Sequence, residues 1–151
     1  MIVARTTSTP VLVHRRQLME QWAARLQSFV DLPKEGIGQI SGGRRKPTGI
    51  KDVAMIQSLV HKDEVDDLVA DYGHLVVDEC HHLSAVSFEA VAPRAKARFV
   101  LGLSATVTRK DGHHPIIFMQ CGPVRFRVDA RSQAAAGRPF SRRVVSRATR
   151  R

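Results

Sequence analysis

Two adjacent carboxylates at the end of an apolar run are the residues of this chain best suited to chemistry. Leu75-Val76-Val77 reads as a buried strand and leads directly into Asp78 and Glu79. Side chains alternate along a strand, so the two acids leave it in different directions. Such a pair can divide labour. One carboxylate can hold a hard cation such as Mg²⁺ through oxygen. The other can orient or deprotonate a water that attacks a phosphoryl group. An isolated Asp-Glu pair at a strand end usually does no more than meet solvent. Here a second polar cluster, Ser104-Ala105-Thr106, begins 25 positions beyond Glu79, after one helical and one strand-like segment. That spacing makes a chance pairing of the two clusters much rarer.

The elements around them alternate. Short apolar runs at 11–14, 37–40, 53–56, 74–77 and 98–103 read as strands. Residues 16–29 predict a helix: Leu18, Trp22 and Leu26 recur every four positions, and Met19, Ala23 and Phe29 fill the same face. Further helices are expected at 59–70, with Val60, Leu68 and Val69 inward, and at 87–97. Pro93 lies inside the last, where a proline costs about 3 kcal/mol or more, so that helix is kinked or begins later. Residues 113–118 read as a helix start that packs Ile116, Ile117 and Phe118 inward, and Gly42-Gly43 opens a basic loop, Arg44-Arg45-Lys46-Pro47. Strands alternating with helices predict an α/β fold, a mostly parallel sheet covered on both faces. Such sheets bind ligands at the carboxyl ends of their strands, where His14-Arg15-Arg16, Asp78-Glu79 and Ser104-Ala105-Thr106 all fall.

Composition sets the bounds. A length of 151 residues fits one domain, and 43% hydrophobic with 25% charged residues describes a globular chain. No apolar run approaches the roughly 18 residues of a membrane span, so no membrane partner is expected. Two cysteines make no disulfide framework, and a cytoplasmic, reduced compartment is the expectation. The formal charge of +10 points to an anionic partner such as nucleic acid. Yet residues 138–151 hold six arginines and no acid, which leaves 18 basic against 14 acidic residues in the rest. Most of the excess therefore sits in a tail that reads as lying outside the core.

In its ordered motifs the chain resembles the superfamily-two helicases and translocases, ATP motors of the DEAD/DEAH type. Val76-Val77-Asp78-Glu79-Cys80-His81-His82 resembles their motif II in its DExH form, and Leu101-Gly102-Leu103-Ser104-Ala105-Thr106 resembles motif III. Thr108-Arg109-Lys110-Asp111-Gly112 is similar to a stretch found in the branch of DNA-repair helicases and type III restriction subunits. The segment 11–22 resembles that branch's motif Ia strand and helix, and 38–43 and 53–59 resemble its next two strand-end motifs. The matches run from about residue 7 to 128 in family order.

The resemblance implies a three-layer RecA-like sandwich of the P-loop NTPase type over residues 1–130, followed by an Arg-rich linker or tail at 131–151. It implies that Asp78 contacts the Mg²⁺ of bound ATP and Glu79 is the catalytic base. His81, Ser104 and Thr106 would couple hydrolysis to movement, and Arg15, Gly43, Gln57 and Ser58 would grip the backbone of DNA, or of RNA. Two departures stand beside this. No GxxxxGK(S/T) occurs in the 151 residues, and only ten precede Val11. A second RecA-like domain is absent too. The expectation is a partial motor half, incomplete at its N-terminus and inactive as a helicase or ATPase alone, which a second chain or missing domain would complete.

Two other readings compete. Cys80, His81, His82, His113, His114 and Cys121 are metal-capable, but their spacing matches no zinc signature. A non-catalytic nucleic-acid-binding fragment would instead use Arg44-Arg45-Lys46 and the tail through charge alone, independent of sequence.

Overall fold

A six-stranded sheet organises the computed structural model, which describes residues 2, 7–30, 34–61, 64–82, 85–105 and 114–128. Its strands are β1 (Thr9–Val13), β2 (Ile37–Ser41), β3 (Arg44–Lys46), β4 (Lys51–Met55), β7 (His74–Val77) and β8 (Phe99–Gly102). Across the sheet they run β3-β2-β4-β1-β7-β8. Every pairing is parallel except β2 with β3. A two-stranded ribbon of β5 (Val60–His61) and β6 (Glu64–Val65) lies apart from this sheet.

Alternation along the strands supplies two cores. Val11, Val13, Val53 and Val76 face helix α1 (Arg16–Phe29), where Met19 and Leu26 are buried. Leu12, Ala54, Leu75 and Val77 face the other way and pack with Val91 of α2 (Ala85–Arg94) and Ile117 of α3 (His114–Cys121). Helices on both faces of a mostly parallel sheet make the three-layer α/β architecture expected.

Helix α1 has the predicted bounds, but its buried line runs through Met19 and Leu26. Leu18 and Trp22 are only half-buried, and Phe29, in the last turn, is 84% exposed. The helix expected at 59–70 does not form. Val60 pairs with Val65 in the ribbon, and Asp66 then caps a 3₁₀ turn, Asp67–Asp71, by accepting from the Leu68 N–H. Acid side chains that bond nearby backbone compete with helix in this way. The basic loop at 44–47 is instead strand β3, turned back on β2 by Gly42 and Gly43. Helix α2 starts earlier than expected and stops one residue past Pro93, which has no N–H to extend it. In α3, Ile117 is buried but Phe118 is 38% exposed. No helix among the described residues is long and apolar enough to cross a membrane.

Strand β4 begins two residues before the expected start, because Lys51 and Asp52 are buried despite their charge. Asp52 is fully enclosed at the amino edge of the sheet. It accepts from the Thr48 N–H (2.8 Å), the Thr48 hydroxyl (2.7 Å), the Gly49 N–H (2.9 Å) and the Tyr72 hydroxyl. Burial and the Asp52 hydrogen bond hold Tyr72 protonated far above the usual phenol range. Lys51 donates to Thr7 and Thr9, and burial lowers its pKa. Gly38 makes room for this cluster. A Cβ there would lie 1.9 Å from Asp52 Oδ1 and 2.7 Å from the Lys46 carbonyl oxygen.

Asp52→Ala, which strands several buried donors, is expected to cost about 3 kcal/mol or more in urea unfolding. Gly38→Ala is expected to cost a similar amount, about 3 kcal/mol, through overpacking against backbone. Tyr72 adds a pH dependence. Its raised folded pKa makes its contribution fully present below the unfolded phenol value of about 10, and lost as pH climbs beyond it. Wild-type midpoints for both variants would show that the network does not stabilise the fold.

Candidate functional site

Parallel register brings the predicted residues to one edge. Reading across the carboxyl ends, β2 leads to Gly43, β4 to Gln57 and Ser58, β1 to Arg15, β7 to Asp78 and Glu79, and β8 to Ser104. The order separates two groups. Candidate nucleic-acid residues occupy the β2-β4-β1 half, and the acids with Ser104 occupy the β7-β8 half.

Asp78 continues the ladder of β7, its N–H donating to the Leu12 carbonyl at 2.9 Å. It shares the α1 face with Val76, as alternation requires. There its Oδ2 accepts a hydrogen bond from the Trp22 indole Nε1 at 2.7 Å, and its Oδ1 accepts from the Glu79 N–H at 3.0 Å. Trp22 was legible only as a helix-face residue. The available signal was chemical: an indole N–H on a packed face needs a partner.

Glu79 leaves the strand with φ of 48°, the only non-glycine residue in the left-handed region among those described. Such a backbone costs roughly 1–2 kcal/mol for a residue with a Cβ. Glu79 Oε2 is buried and lies 3.2 Å from His81 Nδ1. The same ring nitrogen lies 2.7 Å from Ser104 Oγ, so one imidazole faces both the acid turn and the strand end of β8. The structure thus brings Glu79, His81 and Ser104 together, and Asp78 with Trp22. Thr106, residues 108–113 and residues 129–151 lie outside the described residues.

On the other half, Arg15, Gly43 and Gln57 are exposed. Arg15 has an extended backbone and precedes α1 as its N-cap. Gln57 Nε2 reaches the His14 carbonyl at 3.4 Å, a long contact between the ends of β4 and β1. A Cβ at Gly43 would meet nothing within 4 Å, so its backbone is open to a ligand. Ser58 differs from its neighbours: it is 8% exposed, and its hydroxyl does not stand at the surface. The basic strand β3 is partly neutralised, since Arg45 pairs with Asp66 and Arg44 donates to Gln39 at 3.2 Å.

Cys80 and Cys121 are free thiols that meet over Gly102, where a Cβ would sit 3.2 Å from the first sulfur and 2.9 Å from the second. Burial pushes both pKa values up, that of Cys121 to about 12 with a contribution from Cys80. Among the described residues no three His, Cys, Asp or Glu side chains are grouped to hold a metal.

Residues 3–109 match the family described as type III restriction enzyme, res subunit. A protein of Acanthamoeba polyphaga mimivirus, provisionally named an ATP-dependent RNA helicase, is 34% identical over 119 residues, which is 77% of this chain and 22% of that protein. The DNA 3′-5′ helicase XPB of Kineococcus radiotolerans is 32% identical over 133 residues, 83% of this chain and 23% of its own. The chain therefore spans about a fifth to a quarter of the length of the curated relatives it matches. Among solved structures, the UvsW helicase from bacteriophage T4 superposes with a TM-score of 0.63 at 19% identity, over 76% of this chain and 42% of that one. That likeness speaks for a RecA-like fold.

Two outcomes follow from this geometry. Glu79→Gly is expected to raise stability by up to about 1 kcal/mol by relieving the left-handed backbone, whereas β-branched Glu79→Val lowers it by about 1–2 kcal/mol. Equal urea midpoints for the two variants would contradict the strained turn. The raised thiol pKa values keep Cys80 and Cys121 protonated at pH 8. Iodoacetamide should then label them roughly tenfold or more slowly in the folded chain than in urea.

Proposed function

Because the chain belongs to the family of the type III restriction enzyme res subunit, within the superfamily-two helicases, we propose that it is part of the ATP-binding half of a motor that moves on nucleic acid. The observation that carries this reading is the Glu79–His81–Ser104 chain of contacts at the carboxyl edge, beside the exposed backbone and side chains at the ends of β1, β2 and β4. Residues 1–130 form the motor half and 131–151 a basic linker or tail.

The roles follow from position. Asp78 is the carboxylate for Mg²⁺. Both its oxygens already accept one hydrogen bond each, and a carboxylate has lone pairs left for a metal-bound water. When bound, MgATP supplies the phosphoanhydride to be cleaved and the cation that offsets its charge. Glu79 deprotonates the attacking water. His81 sits between Glu79 and Ser104, its Nδ1 within reach of both, so a change of charge on the acid is felt at the end of β8. Ser104 and Thr106 carry that change onward. Arg15, Gly43 and Gln57 hold backbone phosphates without reading bases. The burial of Ser58 leaves it a supporting role beneath Gln57.

The residues present do not fit the β and γ phosphates of ATP. The 151 residues contain no GxxxxGK(S/T), whose backbone amides and lysine would cradle them.

The reading is tested by fluorescence anisotropy with labelled single- and double-stranded DNA and with RNA. Binding should persist after deletion of residues 138–151 and fall roughly tenfold in the Arg15→Ala, Gln57→Ala double variant, with a steep salt dependence. Complete loss on deleting the tail would make the tail the binder and overturn this assignment. The purified 151-residue chain should turn over ATP negligibly. Mg²⁺-dependent turnover that Glu79→Gln abolishes would refute that expectation.

A further inference from the structure

We propose that Trp22 is a positioning residue for Asp78: its indole N–H fixes the carboxylate's orientation and ties helix α1 to the acid turn. This rests on the reading of Asp78 as the metal-binding carboxylate. The two residues are 56 positions apart, yet Nε1 and Oδ2 are 2.7 Å from each other. The contact is part-buried, where a charge-assisted hydrogen bond is stronger than in bulk water.

The place of α1 in the fold gives the bond its consequence. The helix packs on β4, β2 and β1, the strands whose carboxyl ends present Gln57, Gly43 and Arg15. It begins directly after Arg15, and Trp22 lies two turns further on, about 10 Å along the axis. Beyond those strands, the indole reaches the end of β7. Asp78's other oxygen is held by the Glu79 N–H, so the carboxylate is fixed from the helix on one side and from the strained turn on the other. Packing alone does not account for this arrangement: Trp22 is half-buried beside the deeper Met19 and Leu26, and its polar atom is spent on the one acid that alternation delivers to this face.

Trp22 is the only tryptophan in the chain, so its emission reports on this bond directly. Excitation moves electron density from the pyrrole to the benzene ring of indole. A carboxylate at the N–H therefore lowers the emission energy, and Asp78→Asn should shift emission to the blue. Glu79→Gln, which removes a neighbouring charge but not the bond, should leave it in place. An unshifted Asp78→Asn spectrum would overturn the proposal. The second measurement is Mn²⁺ binding to the 151-residue chain, read from the spin-resonance signal of free Mn²⁺. Trp22→Phe keeps an aromatic ring but removes the donor. It should weaken Mn²⁺ binding roughly tenfold, as loss of an outer partner of a metal ligand does, with an unchanged far-ultraviolet circular dichroism spectrum. Wild-type affinity in Trp22→Phe, with affinity lost in Asp78→Asn, would make Trp22 a packing residue and overturn the proposal. If the wild-type chain binds no Mn²⁺, Asp78 does not hold a cation by itself, as expected of a metal that arrives with the nucleotide. The emission shift then decides the positioning role alone, a shift supporting it and no shift overturning it.

Discussion

Parallel pairing of β1 with β4 on one side and β7 on the other is the constraint from which the candidate site follows. Val11 lies opposite both Val53 and Val76, and Leu12 opposite both Ala54 and Val77. All three strands therefore end within one residue of each other, and their outgoing turns share one edge. A slip of one residue in β7 would turn Leu75 and Val77 towards α1 and carry Asp78 to the opposite face. The apolar alternation that fills the two cores is thus the same pattern that aims the first acid at Trp22. Burial energy and site geometry are set together and cannot be varied independently.

The opposite edge carries a different kind of order. Asp52 gathers four donors from Thr48, Gly49 and Tyr72 in a fully enclosed space, and Gly38 yields the room. A buried charge is tolerable only when it is fully hydrogen-bonded. At the carboxyl edge Asp78, Glu79 and Ser104 are half-buried, the Glu79 backbone is strained, and its buried Oε2 lies 3.2 Å from a ring nitrogen of His81. The sheet thus has an enclosed end and a strained end. Strain of this kind persists only where the surrounding structure over-determines it, and here Leu12 and Leu103 hold the chain on either side of the turn through the Asp78 and Cys80 N–H groups.

How much of this was legible in the residues depended on range. Helix α1, strand β7 and the alternation of Asp78 and Glu79 are local properties, visible as period and composition. The motifs likewise marked His81 and Ser104 as a pair before any distance was known. What was not legible involved partners distant in sequence. Lys51 and Asp52 look like the end of a loop until Thr7, Thr48 and Tyr72 are seen around them. The segment 59–70 looks helical until Asp66 is committed to Leu68 and Arg45. Arg44-Arg45-Lys46 looks like a free basic loop until β2 pairs with it. Ser58 has the type of a phosphate-gripping residue, and only tertiary burial removes it from the surface.

These partnerships also bear on where the chain's charge can act. Arg45 is paired and Arg44 is hydrogen-bonded, so β3 offers an anion less than its sequence suggests. Exposed Arg15 stands at the start of α1, which has no side-chain cap hydrogen bond and carries partial positive charge at its N-terminal end. Gln57 follows the neighbouring strand β4 and Gly43 follows β2 one strand further on, so the exposed groups of this half are spread over three successive strand ends. The small formal charge of the core is therefore a poor guide to this edge, because strand order and not charge density decides which polar groups stand exposed there.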